Sequence, residues 1–153
     1  MHRKKIILIF FLLFLNISCI RGKTAEYEIR GKTVKIEIAD TEEARNKGLS
    51  DRRFIGKNQG MLFVFSDVNR RSFWMKHCFF DIDIAYIDFN GRIDEIITMQ
   101  REPYDSAAEK LKQYISKSWS IKYALEMPGG WFNKNSVQAG DILTWTVLYN
   151  TSR

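Results

Sequence analysis

Apolar and charged residues alternate along the chain from residue 27, a period of two that is typical of β-strands with one buried face. The alternating apolar positions are Tyr27, Ile29, Val34, Ile36 and Ile38. Gly31 lies in an interruption of this pattern, which predicts a turn or bulge there. Residues 40–43 then offer an N-cap and glutamates, and Gly48 offers a C-cap, so a short helix is predicted between them.

The middle of the chain contains short apolar runs that also favour strands. Residues 60–65 are continuously apolar, as expected of a strand buried on both faces, and residues 72–75 form a second run. Asn90-Gly91 separates the runs 82–89 and 93–99, and this dipeptide is a strong signal for a β-hairpin.

The last third of the chain predicts two more strands, at 121–127 and 142–149, with one helical turn at 131–136 between them. Residues 103–118 are polar and predict a surface helix or a long, partly ordered loop. About seven strands with a few short helices indicate a mainly β domain of the α+β type. We expect a compact antiparallel sandwich or squat barrel.

The N-terminus has the pattern of a secretory signal. Residues 3–5 are basic, and the apolar run 6–15 is about half the roughly 20 residues that a membrane-spanning helix needs. Ser18 and Cys19 resemble a bacterial lipobox, with Asn16 where the strict motif has leucine. We expect a lipoprotein signal peptide at 1–18, lipid on Cys19, a tether at 19–26 and one domain at 27–153. An uncleaved membrane anchor is the alternative.

Removal of the signal changes the charge of the protein. The formal charge falls from +6 to +3 when residues 1–18 are lost, and 135 residues remain. This charge does not indicate a nucleic-acid partner. We expect instead a membrane partner through the lipid on Cys19, at the outer membrane or periplasmic face of a bacterial envelope. The 2 cysteines exclude a disulfide-rich scaffold, and no cofactor is indicated.

Several motifs resemble the bacterial and archaeal family called domain of unknown function 192. They are residues 38–41, 43–45, 48–49, 60–65, 72–76, 83–88, 91–92, 123–126, 130–131 and 137–141, within about Ile36 to Thr146. His77, Cys78 and Asp81 stand where the family usually has Asn, Thr and Pro, and 103–118 differs from its usual loop. The resemblance implies a compact, mostly β domain, often with a signal peptide, and implies little about activity.

The sequence offers weak candidates for catalysis or metal binding. His77 and Cys78 are adjacent, but neighbouring side chains of a strand point to opposite faces and cannot share a proton. If the segment is a turn, this objection is weaker. His77, Asp81 and Asp83 would share one face of a strand, without a second histidine to complete a metal site. For Asp83, a structural ion pair with one of the cations Arg45, Lys76 or Arg92 competes with a ligand contact. We therefore name no catalytic residue and no metal.

A ligand-binding site is the remaining candidate. The 4 tryptophans either belong to the core or line an aromatic pocket with Lys76 and Glu126 at its rim, suited to a small molecule, sugar or peptide. The residues we expect in such a site are Trp74, Met75, Lys76, His77, Asp83 and Glu126. The sequence thus predicts a lipid-anchored envelope protein that binds a ligand or partner. An envelope enzyme with an unrecognised acid-base site and a purely structural lipoprotein are the alternatives.

Overall fold

The computed structural model describes residues 23–143, which form eight strands, two short α-helices and a 3₁₀ turn. The strands are β1 (Thr24–Ile29), β2 (Lys32–Ala39), β3 (Gln59–Asn69), β4 (Ser72–Phe73), β5 (Ile82–Asp88), β6 (Ile93–Met99), β7 (Tyr114–Ile115) and β8 (Ile121–Pro128). The helices are α1 (Glu42–Lys47) and α2 (Trp131–Lys134), and the 3₁₀ turn is Ala108–Lys110. The predicted mainly β fold with a few short helices is confirmed.

Six strands form one sheet in the order β1-β2-β3-β8-β5-β6, and β4 pairs with β7 in a separate small sheet. Neighbouring strands of the main sheet run antiparallel except β2 and β3, which run parallel. Parallel strands need a crossover connection, and α1 with the loop after it provides one. Within the described range the sheet is mixed and open, with β1 and β6 at its edges, so it is not closed into a barrel.

Apolar side chains cover both faces of the main sheet, because successive residues of a strand point to opposite faces. One face, here called the α2 face, carries Leu62, Ala85, Ile87, Leu125 and Met127, which pack with Trp131 and Phe132 of α2. The opposite face, here called the α1 face, carries Met61, Phe63, Ile84, Tyr86 and Ala124, which pack with Met75 and Tyr114. The central strands β3, β8 and β5 are therefore buried on both sides where they pair.

Two local predictions are confirmed in detail. Asp88 accepts the backbone N–H groups of Asn90 and Arg92 at 2.8 and 2.9 Å, which stabilises the hairpin between β5 and β6. Thr41 caps α1 by accepting the N–H of Ala44 at 3.1 Å, and α1 ends at Gly48.

Other segments differ from the predictions. The apolar run 72–75 is a strand only at its first two residues, and the chain then turns, with His77 at a positive φ of 54°. Residues 103–118, for which a surface helix or a long loop was predicted, form the loop, and it contains the 3₁₀ turn and the two-residue β7. Their polar composition leaves too little apolar surface to hold a longer helix against the sheet.

The first strand of the sheet begins earlier in the chain than predicted. β1 begins at Thr24, so the sheet extends into the last residues of the segment predicted as a tether. The signal segment, Cys19, Trp145 and most of the predicted strand 142–149 lie outside the described residues. Between residues 23 and 143, no helix has the length and apolar character needed to cross a bilayer.

Candidate functional site

A cavity of about 320 Å³ opens on the α1 face, between the end of α1 and strands β3 and β4. Gly48 has a positive φ of 50°, which allows the chain to turn at the end of α1, so that residues 45–50 form one wall. Aromatic rings form the other wall, and Glu126 of β8 lies among them; the rings are Phe63, Phe65, Phe73 and Trp74. Ligand sites are typically concave and apolar with a few placed polar groups, as here.

Phe73 organises the aromatic wall. Its ring meets those of Phe63, Phe65 and Tyr86 edge to face, with centroids 4.9, 6.4 and 5.9 Å apart. Contacts of this kind favour one orientation of each ring, which gives the wall a defined shape. Trp74 is 44% exposed, so its ring is the part of the wall that a molecule arriving from solvent meets first.

Glu126 places a carboxyl group inside this apolar environment. It pairs with Met61 and Ile84 in the neighbouring strands and is only 4% exposed. Burial raises the pKa of Glu126 to about 8, and the positive charge of Arg52 offsets only part of that effect. At neutral pH the carboxyl is therefore mostly protonated, and it can both donate and accept a hydrogen bond.

Arg52 does not neutralise Glu126 because it has a carboxylate partner of its own. Its guanidinium donates two hydrogen bonds to the carboxylate of Glu37, at 2.5 and 2.8 Å. This pairing lowers the pKa of Glu37 and raises that of Arg52. The buried carboxyl of Glu126 and the charged carboxylate of Glu37 thus both lie near the Arg52 guanidinium. Of these two, only Glu37 forms hydrogen bonds with it.

Two guanidinium groups contact the ring of Phe65 in the cavity wall. Arg71 lies 3.9 Å and Arg45 5.5 Å from the centroid of Phe65, each within the range of a cation–π interaction. Arg45 is held in place by donating to the carbonyl oxygens of Asp40 and Val64, both at 2.9 Å. Since Arg45 also lines the cavity, it provides a fixed positive charge at the rim.

The structure brings together only part of the predicted ligand-binding set. Trp74 and Glu126 line the cavity, and Glu126 is buried among its rings rather than at its rim. Met75 is a buried core residue, as expected for one of the neighbours Trp74 and Met75, although neither of them belongs to a strand. The Lys76 ammonium lies 5.9 Å from the centroid of the Trp74 ring, outside the cavity.

Asp83 lies on the other side of the sheet. Its carboxylate accepts a hydrogen bond from the Thr98 hydroxyl at 2.7 Å and one from the backbone N–H of Phe132 at 3.4 Å. The expected ion pair with Arg45, Lys76 or Arg92 is therefore replaced by neutral donors. These donors come from β6 and α2, elements that a strand pattern alone does not place beside Asp83.

His77 and Cys78 occupy a turn instead of a strand. His77 stacks on Tyr104 with ring centroids 4.6 Å apart, and its Nδ1 lies 3.6 Å from Asp51, so it faces away from the cavity. Cys78 is buried, and burial raises the pKa of its thiol to about 12, which disfavours a nucleophilic role. In the part of the chain that the structure describes, no cluster of His, Cys, Asp and Glu side chains is placed to hold a metal ion.

Sequence reasoning placed Phe73 in the lining of the cleft, and it missed Arg52 and Phe65 as members of this region. Phe63 and Phe65 are two residues apart in the apolar run 60–65, so on a strand both side chains point to the same face. This spacing was the sequence signal for the aromatic wall. The position of Arg52 follows from the loop after α1, for which the sequence carries no comparable pattern.

The comparisons with known proteins agree with this fold. The model of the DUF192 family, described as uncharacterized ACR, matches residues 25–145. The chain is 29% identical to the UPF0127 protein TK1120 of Thermococcus kodakarensis over 124 residues, which cover 78% of this chain and 71% of that protein.

Two crystal structures are also similar. A proposed transcription regulator from Sinorhizobium meliloti 1021 has 27% sequence identity and a TM-score of 0.64, covering 80% of this chain and 91% of that one. A protein of unknown function from Novosphingobium aromaticivorans DSM 12444 has 24% identity and a TM-score of 0.66, covering 80% and 83%. The second likeness concerns the fold alone.

Proposed function

For this chain, which belongs to the uncharacterised DUF192 family, we propose a role as a lipid-anchored protein of the cell envelope that binds a small ligand on the α1 face. The observation that carries the binding proposal is the buried Glu126 carboxyl in a cavity walled by aromatic rings. A buried polar group costs free energy unless it is hydrogen-bonded, so a ligand that bonds to Glu126 gains affinity from a group already in place.

The chemistry of the cavity favours a sugar or a short peptide as the ligand. Trp74 and Phe73 offer flat apolar surfaces against which a sugar ring or an aromatic side chain can stack. The protonated carboxyl of Glu126 can donate to a hydroxyl or carbonyl oxygen, and Arg45 can pair with an anionic substituent at the rim.

Ligand binding can be tested with the full chain purified in detergent. Titration with a panel of monosaccharides, disaccharides and short peptides should change the tryptophan fluorescence for at least one class, and Trp74→Phe should reduce that change. Glu126→Leu removes both the donor and the acceptor and should weaken binding by about tenfold, the loss expected for one hydrogen bond of roughly 1.4 kcal/mol. Asp83→Leu is the matched control, because it makes the same kind of change at a buried carboxyl of the same sheet on the opposite face. Equal losses in both variants would contradict the assignment of the site.

The lipid anchor is supported by the basic and apolar N-terminus and by Ser18-Cys19. Replacement of Cys19 by Ser should abolish incorporation of labelled fatty acid and move the protein from the detergent phase to the aqueous phase. Labelling that persists in Cys19→Ser would rule the anchor out.

Regulation of transcription, the role proposed for the Sinorhizobium protein, needs a nucleic-acid partner. The proposed mature charge of +3 does not favour nucleic acid, and several surface cations already have carboxylate partners, as Lys23 does with Asp40 and Arg71 with Asp67.

A second candidate function is acid catalysis, favoured by the raised pKa of Glu126. A protonated carboxyl at neutral pH is suited to give a proton to a leaving group. The lining of the cavity, as far as residues 23–143 show, contains no second carboxyl and no histidine to act as a base. If the wild-type protein converts a ligand to a product, and Glu126→Gln still binds that ligand without converting it, the protein is an enzyme rather than a binding protein.

A further inference from the structure

Three exposed apolar side chains lie at one end of the main sheet. Val68, Phe89 and Trp119 are 45%, 62% and 68% exposed. The strand register places them together, because Asn69 of β3 and Asp88 of β5 both pair with Ile121 of β8. Val68 precedes Asn69, Phe89 follows Asp88, and Trp119 comes two residues before Ile121. We call these three residues, with Arg70 and Lys122 beside them, the tether end.

β1 enters the sheet from the same end. The carbonyl oxygen of Lys23 accepts the N–H of Ile38 at 2.8 Å, and Ile38 is level with Leu62 and Leu125 across the sheet. Leu125 is four residues from Ile121, a rise of about 13 Å along a strand. The tether end therefore extends about this far beyond Lys23, in the direction from which the chain arrives.

The chain that precedes Lys23 is too short to hold the domain away from a membrane. Cys19 is four residues from Lys23, and four residues span at most about 14 Å when fully extended. A lipid-bearing Cys19 can thus reach about as far as the tether end and little farther. Its acyl chains must enter the bilayer, so the end of the sheet from which the chain arrives faces the headgroups, and the tether end belongs to that end of the sheet.

The cations of the tether end are bonded to carbonyl oxygens. Arg70 donates to the carbonyl of Ser116 and lies 5.4 Å from the centroid of Trp119, and Lys122 donates to the carbonyl of Ser66. Their charge remains available to anionic headgroups, and the acid Asp67 is paired with Arg71. The Asp88 carboxylate accepts backbone N–H groups and keeps its negative charge, but the two cations outnumber it. Tryptophan beside basic residues is the composition of membrane interfaces.

We infer that the tether end lies on the membrane that holds the lipid anchor, with the side chains of Phe89 and Trp119 among the headgroups. The partner is a phospholipid surface, which Arg70 and Lys122 favour when it is anionic. This inference rests on the proposed lipidation of Cys19.

The test uses the full lipidated chain in vesicles of phosphatidylcholine and phosphatidylglycerol, with and without brominated acyl chains that quench tryptophan at short range. Flotation first shows whether the chain is bound. Quenching of the wild-type emission should be strong and should largely disappear in Trp119→Phe. The matched control is Trp74→Phe, which replaces an exposed indole elsewhere on the domain. The tryptophan emission of this variant should still be quenched as strongly as that of the wild type. Both rings are exposed, so neither change should unfold the protein.

The outcomes separate the two proposals. A wild-type chain that does not float with vesicles overturns the lipid anchor and this inference together. A bound chain whose Trp119 is not quenched, or whose quenching is lost in Trp74→Phe instead, overturns the inference and leaves the anchor intact. The quenching of Trp119 by brominated lipid can also fall as more protein is added at a constant amount of lipid. That result would mean that a second copy of the chain covers the tether end, and it would overturn the inference.

Discussion

Asp83 and Glu126 are buried carboxyl groups on adjacent strands of one sheet, yet they lie on opposite faces of it. Glu126 pairs with Ile84, the neighbour of Asp83, and paired residues point to the same face of the sheet. Asp83 is one residue away from Ile84, so its side chain points to the opposite face. Asp83 is satisfied by the Thr98 hydroxyl and the Phe132 N–H on the α2 face, whereas Glu126 enters the cavity of the α1 face. The first carboxyl therefore belongs to the architecture, and the second is available to a ligand.

The stability of the protein should depend on pH through Glu126. Burial raises its pKa to about 8 in the folded state from an ordinary 4.5, so the folded state holds the proton more tightly than the unfolded state. This contribution is fully present below pH 4.5 and is lost as the pH rises through 8, by an amount on the order of 5 kcal/mol. Urea denaturation at a series of pH values measures it. The Glu126→Gln variant should lose this slope, and a variant that keeps it would contradict the burial of the carboxyl.

Phe73 and Trp74 are sequence neighbours that should respond differently to truncation. Phe73→Ala removes the ring that contacts three other aromatic rings, and we expect a loss of about 3 kcal/mol in the free energy of unfolding. Trp74→Ala removes a half-exposed ring and should cost less than about 1 kcal/mol. Thermal or urea unfolding of the two variants gives the comparison. A greater loss for Trp74→Ala would mean that its ring is part of the core.

Asp83 and Lys76 test whether an internal salt-bridge network supports the fold. Asp83→Ala leaves the Phe132 N–H and the Thr98 hydroxyl without their acceptor, and should cost about 2 to 3 kcal/mol. Lys76→Met should change stability by only about 0.5 kcal/mol, since the ammonium lies over the Trp74 ring and not beside Asp83 or Glu126. Melting temperatures of both variants measure this. A large loss of stability in Lys76→Met would instead support an internal salt-bridge network that includes Lys76.

Gly60 is required by the close approach of two strands. A Cβ atom at this position would lie 2.3 Å from the carbonyl oxygen of Glu126 and 2.4 Å from the sulfur of Met127. Gly60→Ala should therefore displace β8 and cost about 2 to 3 kcal/mol, the range for overpacking a core. Gly56→Ala is the control, because its Cβ would meet only the flexible side chain of Gln59. Equal unfolding midpoints for the two variants would show that the strands can separate without cost.

Elements whose signals are local could be predicted from the sequence. Alternation predicted the first strands, Asn90-Gly91 predicted the hairpin, and residues 40–43 with Gly48 predicted α1, because turn chemistry and helix capping depend on neighbours within a few residues. The sequence also singled out Trp74 and Glu126. The predicted signal peptide and the lipid on Cys19 stay predictions, since those residues lie outside the described range.

The tertiary structure alone decided which of those residues share a site. The turn after Phe73 sends His77 away from the cavity, and the register of β5 against β8 separates Asp83 from Glu126. Register arises from the packing of whole strands, and a shift of one residue would move every side chain to the other face. The pKa of Glu126 has the same origin, because a carboxyl is desolvated only by the groups that the complete fold places around it.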